Sequence, residues 1–106
     1  MKFIDCKILR VYLKESDKFN GQNMTHTVVK LLKSHGLSGA TVFKAQCGYG
    51  RRGVSRFDIL RLSMNLPVIV ECIDYETTFE QVLPELTKIV GENGLITMEN
   101  IQVVKE

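Results

Sequence analysis

The stretch that most constrains this chain is residues 3–13, Phe-Ile-Asp-Cys-Lys-Ile-Leu-Arg-Val-Tyr-Leu, which reads as a β-strand apolar on both faces. Side chains alternate sides along a strand, so Ile4, Cys6, Ile8 and Tyr12 lie opposite Leu9, Val11 and Leu13. Leaving either face in water is costly, so the fold must supply cover twice. Residues 68–74, Val-Ile-Val-Glu-Cys-Ile-Asp, repeat the pattern, with Val68 and Val70 on one face and Ile69 and Ile73 on the other.

The remaining elements fall around these two strands. Residues 14–23 form a polar connector pivoting on Gly21, after which Met24, Val28, Leu31 and Leu32 recur at helical spacing. Gly36 directly after His35 predicts the end of that helix. Residues 41–46 predict a second strand. Thr77 and Glu80 predict a capping box opening a second helix, with Phe79, Val82, Leu83, Leu86, Ile89 and Val90 on one face. Pro84 lies inside that pattern and must kink the helix or mark where its regular part begins. Gly91 and Gly94 end it, and residues 95–105 supply a last strand. Residues 58–64 fit either an extended return arm or a short helix.

The order strand, helix, strand, long loop, strand, helix, strand predicts one α+β domain over residues 1–106. Its simplest packing is a ferredoxin-like (βαββαβ) sandwich, a four-stranded antiparallel sheet with both helices on one face. Two helices cover one face only. A large open apolar face is uncommon in a monomer, so the second face predicts an oligomer.

The long loop carries the chemistry. Residues 46–58, Gln-Cys-Gly-Tyr-Gly-Arg-Arg-Gly-Val-Ser-Arg-Phe-Asp, combine Gly48, Gly50 and Gly53 with Arg51, Arg52 and Arg56. Glycines in a Gly-x-Gly-x-x-Gly array let a chain turn sharply and bring its N–H groups close to a ligand. Arginine adds a planar charged fork suited to carboxylate or phosphate. The segment predicts a mobile anion-binding loop; the plain alternative is a long hairpin loop with solvated arginines. Net charge is only +2, yet four of the five arginines fall between Arg51 and Arg61, so the positive charge is local. A strongly basic nucleic-acid binder shows more overall excess.

Nothing at the N-terminus reads as a leader, and no apolar run approaches the length of a membrane span, so a cytoplasmic protein is expected. Cys6, Cys47 and Cys72 are odd in number and lack close pairing, which argues against a disulfide framework and a zinc site. Cys6 and Cys72 fall in strand-like runs and are expected to be buried; Cys47, beside the glycines, could be exposed and reactive. His26 and His35 lie on opposite sides of one helix and cannot share a metal, and no nucleophile–base pair stands out. No catalytic or metal-binding residue is therefore assigned.

Residues 36–53 resemble the signature of PII signal-transduction proteins, in which a Gly-x-x-Gly-x-Thr-Val strand runs into a Gly-Phe-Gly-Arg loop base. A closer resemblance is to the small PII-like family known as domain of unknown function 190. Its motifs match Gly-Ala-Thr-Val at 39–42, Gly-Tyr-Gly at 48–50, Arg-Leu-Ser-Met-Asn-Leu-Pro at 61–67, Leu-Pro-Glu-Leu at 83–86 and the closing strand at 94–103. The resemblance implies a homotrimer with sheets turned inward, working in signal transduction. It implies an effector such as ATP, ADP or AMP in clefts between subunits, and a loop that docks on a membrane transporter or an enzyme. Carried over by position, Gly48, Gly50, Arg51, Arg52 and Lys105 would hold the ligand, and Tyr49, Gly53, Ser55 and Arg56 would belong to the docking loop. The sequence departs from PII at Val68, where PII has a lysine, and at the acidic turn 91–94, where PII is rich in glycine and lysine. The connector 15–23 is also longer than its PII counterpart, so a different ligand could be held.

Two rival readings share this order of elements. An RNA-recognition domain would place Gly48-Tyr49-Gly50 on an inner strand, but the alternating aromatics that stack bases do not follow it. A trimer with a purely structural role and no ligand is the other.

Overall fold

Lys2–Lys14 form β1, and every layer of the fold is built from this strand. A computed structural model describes residues 1–50, 52–56 and 65–106 of the chain. In it β1 lies inside a four-stranded sheet, hydrogen-bonded on one side to β7 (Pro67–Asp74) and on the other to β8 (Leu95–Lys105). β4 (Thr41–Lys44) pairs with the far side of β7, giving the order β4-β7-β1-β8 with every neighbour antiparallel. This is the α+β ferredoxin-like arrangement predicted from the order of elements.

The two faces of β1 meet different fates. Leu9 and Val11 are wholly buried and Leu13 nearly so, beneath the two helices. Helix α1 (Met24–Ser34) contributes Met24, Val28, Leu31 and Leu32 to that core, and α2 (Glu76–Val90) contributes Phe79, Val82, Leu86, Ile89 and Val90. Val70 and Cys72 of β7 complete it. On the opposite face Tyr12, Phe43, Ile73 and Leu95 stand exposed. Arg10 crosses that face to bond Glu71 of β7 (Nε–Oε2 3.0 Å) and Glu99 of β8. The two-faced pattern of the sequence is therefore real, and among the described residues the helices cover only one face.

Local chemistry sets the helix ends. The Asn23 carboxamide accepts the His26 N–H at 2.9 Å and caps α1. At its other end Gly36 adopts φ 77° while the Gly36 and Leu37 N–H groups return to the carbonyls of Lys33 and Leu32, the Schellman pattern. The predicted capping box of Thr77 and Glu80 is not formed: α2 begins at Glu76, with Tyr75 at the cap position. Asp74 makes the earlier start workable, since its carboxylate accepts the Tyr75 N–H at 2.8 Å and a bond from Thr78. Pro84 sits well inside the helix, which runs through it to Val90.

Two short hairpins were not expected as regular structure. Within the polar connector, β2 (Lys18–Phe19) and β3 (Gln22–Asn23) pair across Asn20 and Gly21, both at positive φ, as a two-residue hairpin turn requires. Within the glycine loop, β5 (Cys47–Gly50) pairs with β6 (Gly53–Arg56). Neither hairpin joins the main sheet. The ambiguous segment 58–64, and with it the start of the 61–67 motif, lies outside the described residues. Among the described residues, no helix is long and apolar enough to cross a membrane.

Gly94 is a packing residue. A Cβ there would meet Val90 Cγ1 at 2.6 Å, Leu13 Cδ2 at 2.8 Å and the Tyr12 carbonyl oxygen at 2.9 Å, whereas one on Gly39 would meet nothing within 4 Å. Gly94→Ala should destabilise the fold by about 1–3 kcal/mol in urea unfolding, with Gly39→Ala within about 0.5 kcal/mol of the parent. Equal stability of the two variants would show that α2 does not press on the β1–β8 pair as described.

Candidate functional site

Four chain segments end at one edge of the sandwich: β1 at Lys14, β4 at Lys44, β7 at its first residue Pro67, and β8 at its first residue Leu95. The glycine hairpin stands beside them. Between the two lies a groove of about 750 Å³. Its body-side wall is Tyr12, Leu13, Lys14, Ala45, Pro67, Ile69 and the Asn93–Gly94–Leu95 turn; its hairpin wall is Cys47, Gly48, Tyr49, Gly50 and Arg52. The lining is mainly apolar, with cationic side chains at Lys14 and Arg52.

Backbone requirements explain the glycines. Gly48 lies so close to Pro67 that a Cβ would stand 3.1 Å from the proline Cγ. Gly50 pairs with Gly53, and Gly53 takes φ 105°, a left-handed conformation that side chains resist. The pair closes the hairpin and puts Arg52 in its tip. Tyr49 is 88% exposed at the rim of the groove.

Arg52 does not hang free. Its guanidinium forks onto Asp17, with Nη1 donating to Oδ1 at 2.7 Å and Nη2 donating to Oδ2 at 2.9 Å. Asp17 is buried, lies in the turn after β1, and also accepts the Lys14 N–H at 2.9 Å. Burial opposes its ionisation, but the bonds from Arg52 and the Lys14 N–H outweigh burial and hold the carboxyl below its ordinary value of 3.8. The same pairing raises the Arg52 guanidinium. Around this pair the connector is tied down: Glu15 accepts the Leu66 N–H at 2.8 Å and pairs with Lys44 at 2.8 Å.

Of the site residues expected from sequence, Gly48, Gly50 and Arg52 come together at the groove, with Tyr49 beside them. Arg51 lies outside the described residues. Ser55 and Arg56 belong to β6, opposite Gly48 and Cys47. Lys105 is elsewhere: it ends the eleven-residue β8 that starts at the groove, roughly 33 Å away at about 3.3 Å per residue. There it borders a smaller hollow with Met1, Val104 and Glu106. Asp17 and Lys14 had no mark in the sequence beyond membership of a polar connector, because what selects them is a contact made 35 residues away along the chain. The cysteines divide. Cys72 is buried, and that burial, reinforced by Asp74, pushes its thiol up to about 11; Cys47 is exposed, and Cys6 is only half-buried, against expectation, because it lies on the uncovered face.

The profile of the family DUF190, described as an uncharacterized ACR, matches residues 6–103. This chain belongs to the DUF190 family. A UPF0166 protein of Methanocaldococcus jannaschii is 53% identical over 102 residues, 96% of this chain and 94% of the relative. A UPF0166 protein of Aquifex aeolicus is 35% identical over 105 residues, 98% of each chain. Among solved structures, CPII of Thiomonas intermedia, a nitrogen regulatory PII-like protein bound to ADP, AMP and bicarbonate, superposes with a TM-score of 0.75 at 18% identity, over 96% of this chain and 91% of that one. A candidate PII-like signaling protein of Thermus thermophilus gives 0.73 at 20% identity, over 98% and 94%. The chain thus shares the fold of these PII-like proteins. The matched span contains the groove, the hairpin and Asp17.

Because Asp17 is held below its ordinary value, its contribution to stability is fully present above the unfolded-state value and is lost as pH falls through the folded one. Asp74, where burial is outweighed by the Tyr75 and Ser38 N–H groups, acts in the same direction. Urea midpoints should therefore fall on acidification below about pH 4. Asp17→Asn should be less stable at neutral pH and lose less on acidification. A variant whose midpoint tracks the parent at every pH would mean the carboxylate is not held as described.

Proposed function

We propose that this DUF190 protein is a non-catalytic PII-like regulator of cytoplasmic signal transduction. It works as a homotrimer, takes an adenine nucleotide at clefts between subunits, and presents the 46–58 loop to a target such as a membrane transporter or an enzyme. The observation that carries this reading is the groove itself. Its apolar lining from Tyr12, Ile69 and Leu95 suits a flat base, and Lys14 and Arg52 suit an anionic group attached to it. The glycine hairpin forms one wall, so a molecule bound there bears directly on the surface a target would read. Support from the fold comes through CPII, which holds ADP, AMP and bicarbonate.

The trimer reading rests on the uncovered sheet face, where Tyr12, Phe43, Ile73 and Leu95 are exposed together. It also gives Lys105 a role, since a lysine at the far end of β8 reaches a groove only if that groove belongs to another subunit. The RNA alternative is less well supported by this face. Tyr12 and Phe43 are exposed on it, but inner strand β7 presents Ile69, Glu71 and Ile73, and Arg10 is taken up by Glu71 and Glu99; aliphatic and acidic side chains neither stack bases nor attract phosphates.

In solution the protein should have a mass of about 36 kDa, three times the 12.0 kDa chain. Thermal unfolding with ATP, ADP or AMP, each with and without bicarbonate, should show stabilisation of roughly 2.7 kcal/mol at a hundred times the dissociation constant. Arg51→Ala or Arg52→Ala should reduce the shift. A trimer unmoved by any nucleotide would favour the purely structural reading, and a monomer would sink both.

A further inference from the structure

The hairpin that walls the groove shares no strand pairing with the main sheet. Its tip is nonetheless fixed, through the two-pronged bond from Arg52 to Asp17. Asp17 is itself well anchored: its carbonyl accepts the Met24 N–H at 2.8 Å, its N–H donates to the Lys14 carbonyl at 3.0 Å, and its carboxylate takes the Lys14 N–H. One end of the pair is therefore rigid and the other rides on the hairpin. The Arg52 side chain is a third exposed and lines the groove, while that of Asp17 is only 6% exposed. The same guanidinium thus faces an internal carboxylate and the space a ligand would fill.

These positions set up a competition. A guanidinium fork binds a carboxylate and a phosphate by the same parallel pair of N–H bonds. An anion entering the groove gains the two-pronged grip of Arg52 only by taking that fork from Asp17; held by Lys14 or by the remaining guanidinium N–H groups, it would sit near a like charge. We propose that Asp17 is a built-in catch: an internal anion that occupies Arg52 in the ligand-free protein, holds the hairpin tip down, and yields Arg52 to the phosphate or carboxylate group of an incoming ligand. The hold on the hairpin stands on contacts within the chain; the yielding step rests on the nucleotide reading above. A competitor of this kind lowers apparent affinity by the fraction of molecules in which Arg52 is engaged. It also ties ligand entry to a release of the hairpin tip, a change a partner protein can read.

The test uses the full chain with Asp17→Asn and, separately, Arg52→Lys. Asn keeps an oxygen for the Lys14 N–H, and the two variants break the fork from opposite sides, so a folding defect in one leaves the other informative. Without ligand, amide exchange of β5 and β6 should quicken about tenfold or more in both variants, with β1 unchanged. Calorimetric titration with ADP and with inorganic phosphate should then show tighter binding by Asp17→Asn, about fivefold or more, and no gain for Arg52→Lys. Phosphate alone binding as ADP does would identify the anion, not the base, as the competing group. Unchanged hairpin exchange in both variants overturns the catch, and weaker binding by Asp17→Asn overturns the competition. Faster exchange with no binding by any form would uphold the catch and sink only the nucleotide reading.

Discussion

The fold hangs on β1 having two apolar faces and two hydrogen-bonded neighbours. A strand with Leu9, Val11 and Leu13 on one side and Ile4, Ile8 and Tyr12 on the other cannot sit at an edge, and here it pairs with β7 and β8 along most of its length. Both helices go to the Leu9 side, and among the described residues the other side keeps Tyr12, Phe43, Ile73 and Leu95 exposed around one polar crossing. Arg10 sits directly opposite Glu71 in the β7 register and reaches Glu99 a diagonal step away on β8. If a second copy covers this face, those charges are desolvated together, a burden that pairing offsets only when every partner stays in place. An arginine bound to two carboxylates is suited to that. It would also make the register of any such interface hard to slip, because a shift by one residue would set a charge against aliphatic side chains.

The groove follows from where the strands stop. β1, β4, β7 and β8 all turn at the same edge, and a hairpin inserted there borders exposed strand ends without disturbing the core. Gly48 permits the close approach to Pro67, and Gly94 permits the opposite closeness of α2 to β1. These glycines serve opposite purposes. One makes room for a wall of the site, and the other removes room so that the helix packs.

Much of this could be read from the chain. The strands, the helix faces and the two-sided character of β1 follow from alternation and helical spacing, signals that span many residues. Thr77 and Glu80 match a capping pattern, but α2 starts earlier, at Glu76, with Asp74 tied to the Tyr75 N–H and to Thr78 just outside it. The glycine segment was legible as an anion-binding loop or a long hairpin loop, but not its strand pairing, since the pairing of Gly48 with Ser55 depends on a turn that composition only permits. Asp17 was the least legible residue. A single acid in a polar stretch carries no periodicity, and its partner is known only when the fold brings two distant turns together.

The separation of Lys105 from the hairpin bears on how such a protein could signal. Residues at opposite ends of one strand cannot grip one small molecule, so a site using both must draw them from different copies. In a closed ring with head-to-tail contacts, each groove would then be completed by a neighbour's strand end. A ligand seated there would touch a hairpin on one subunit and a strand on the next, and its binding energy would be spent partly on the interface. The local event at Arg52 would then acquire a reach beyond its own subunit. Release of the hairpin tip would be felt by whichever chain the ring sets against the groove, which links the catch to assembly as well as to ligand.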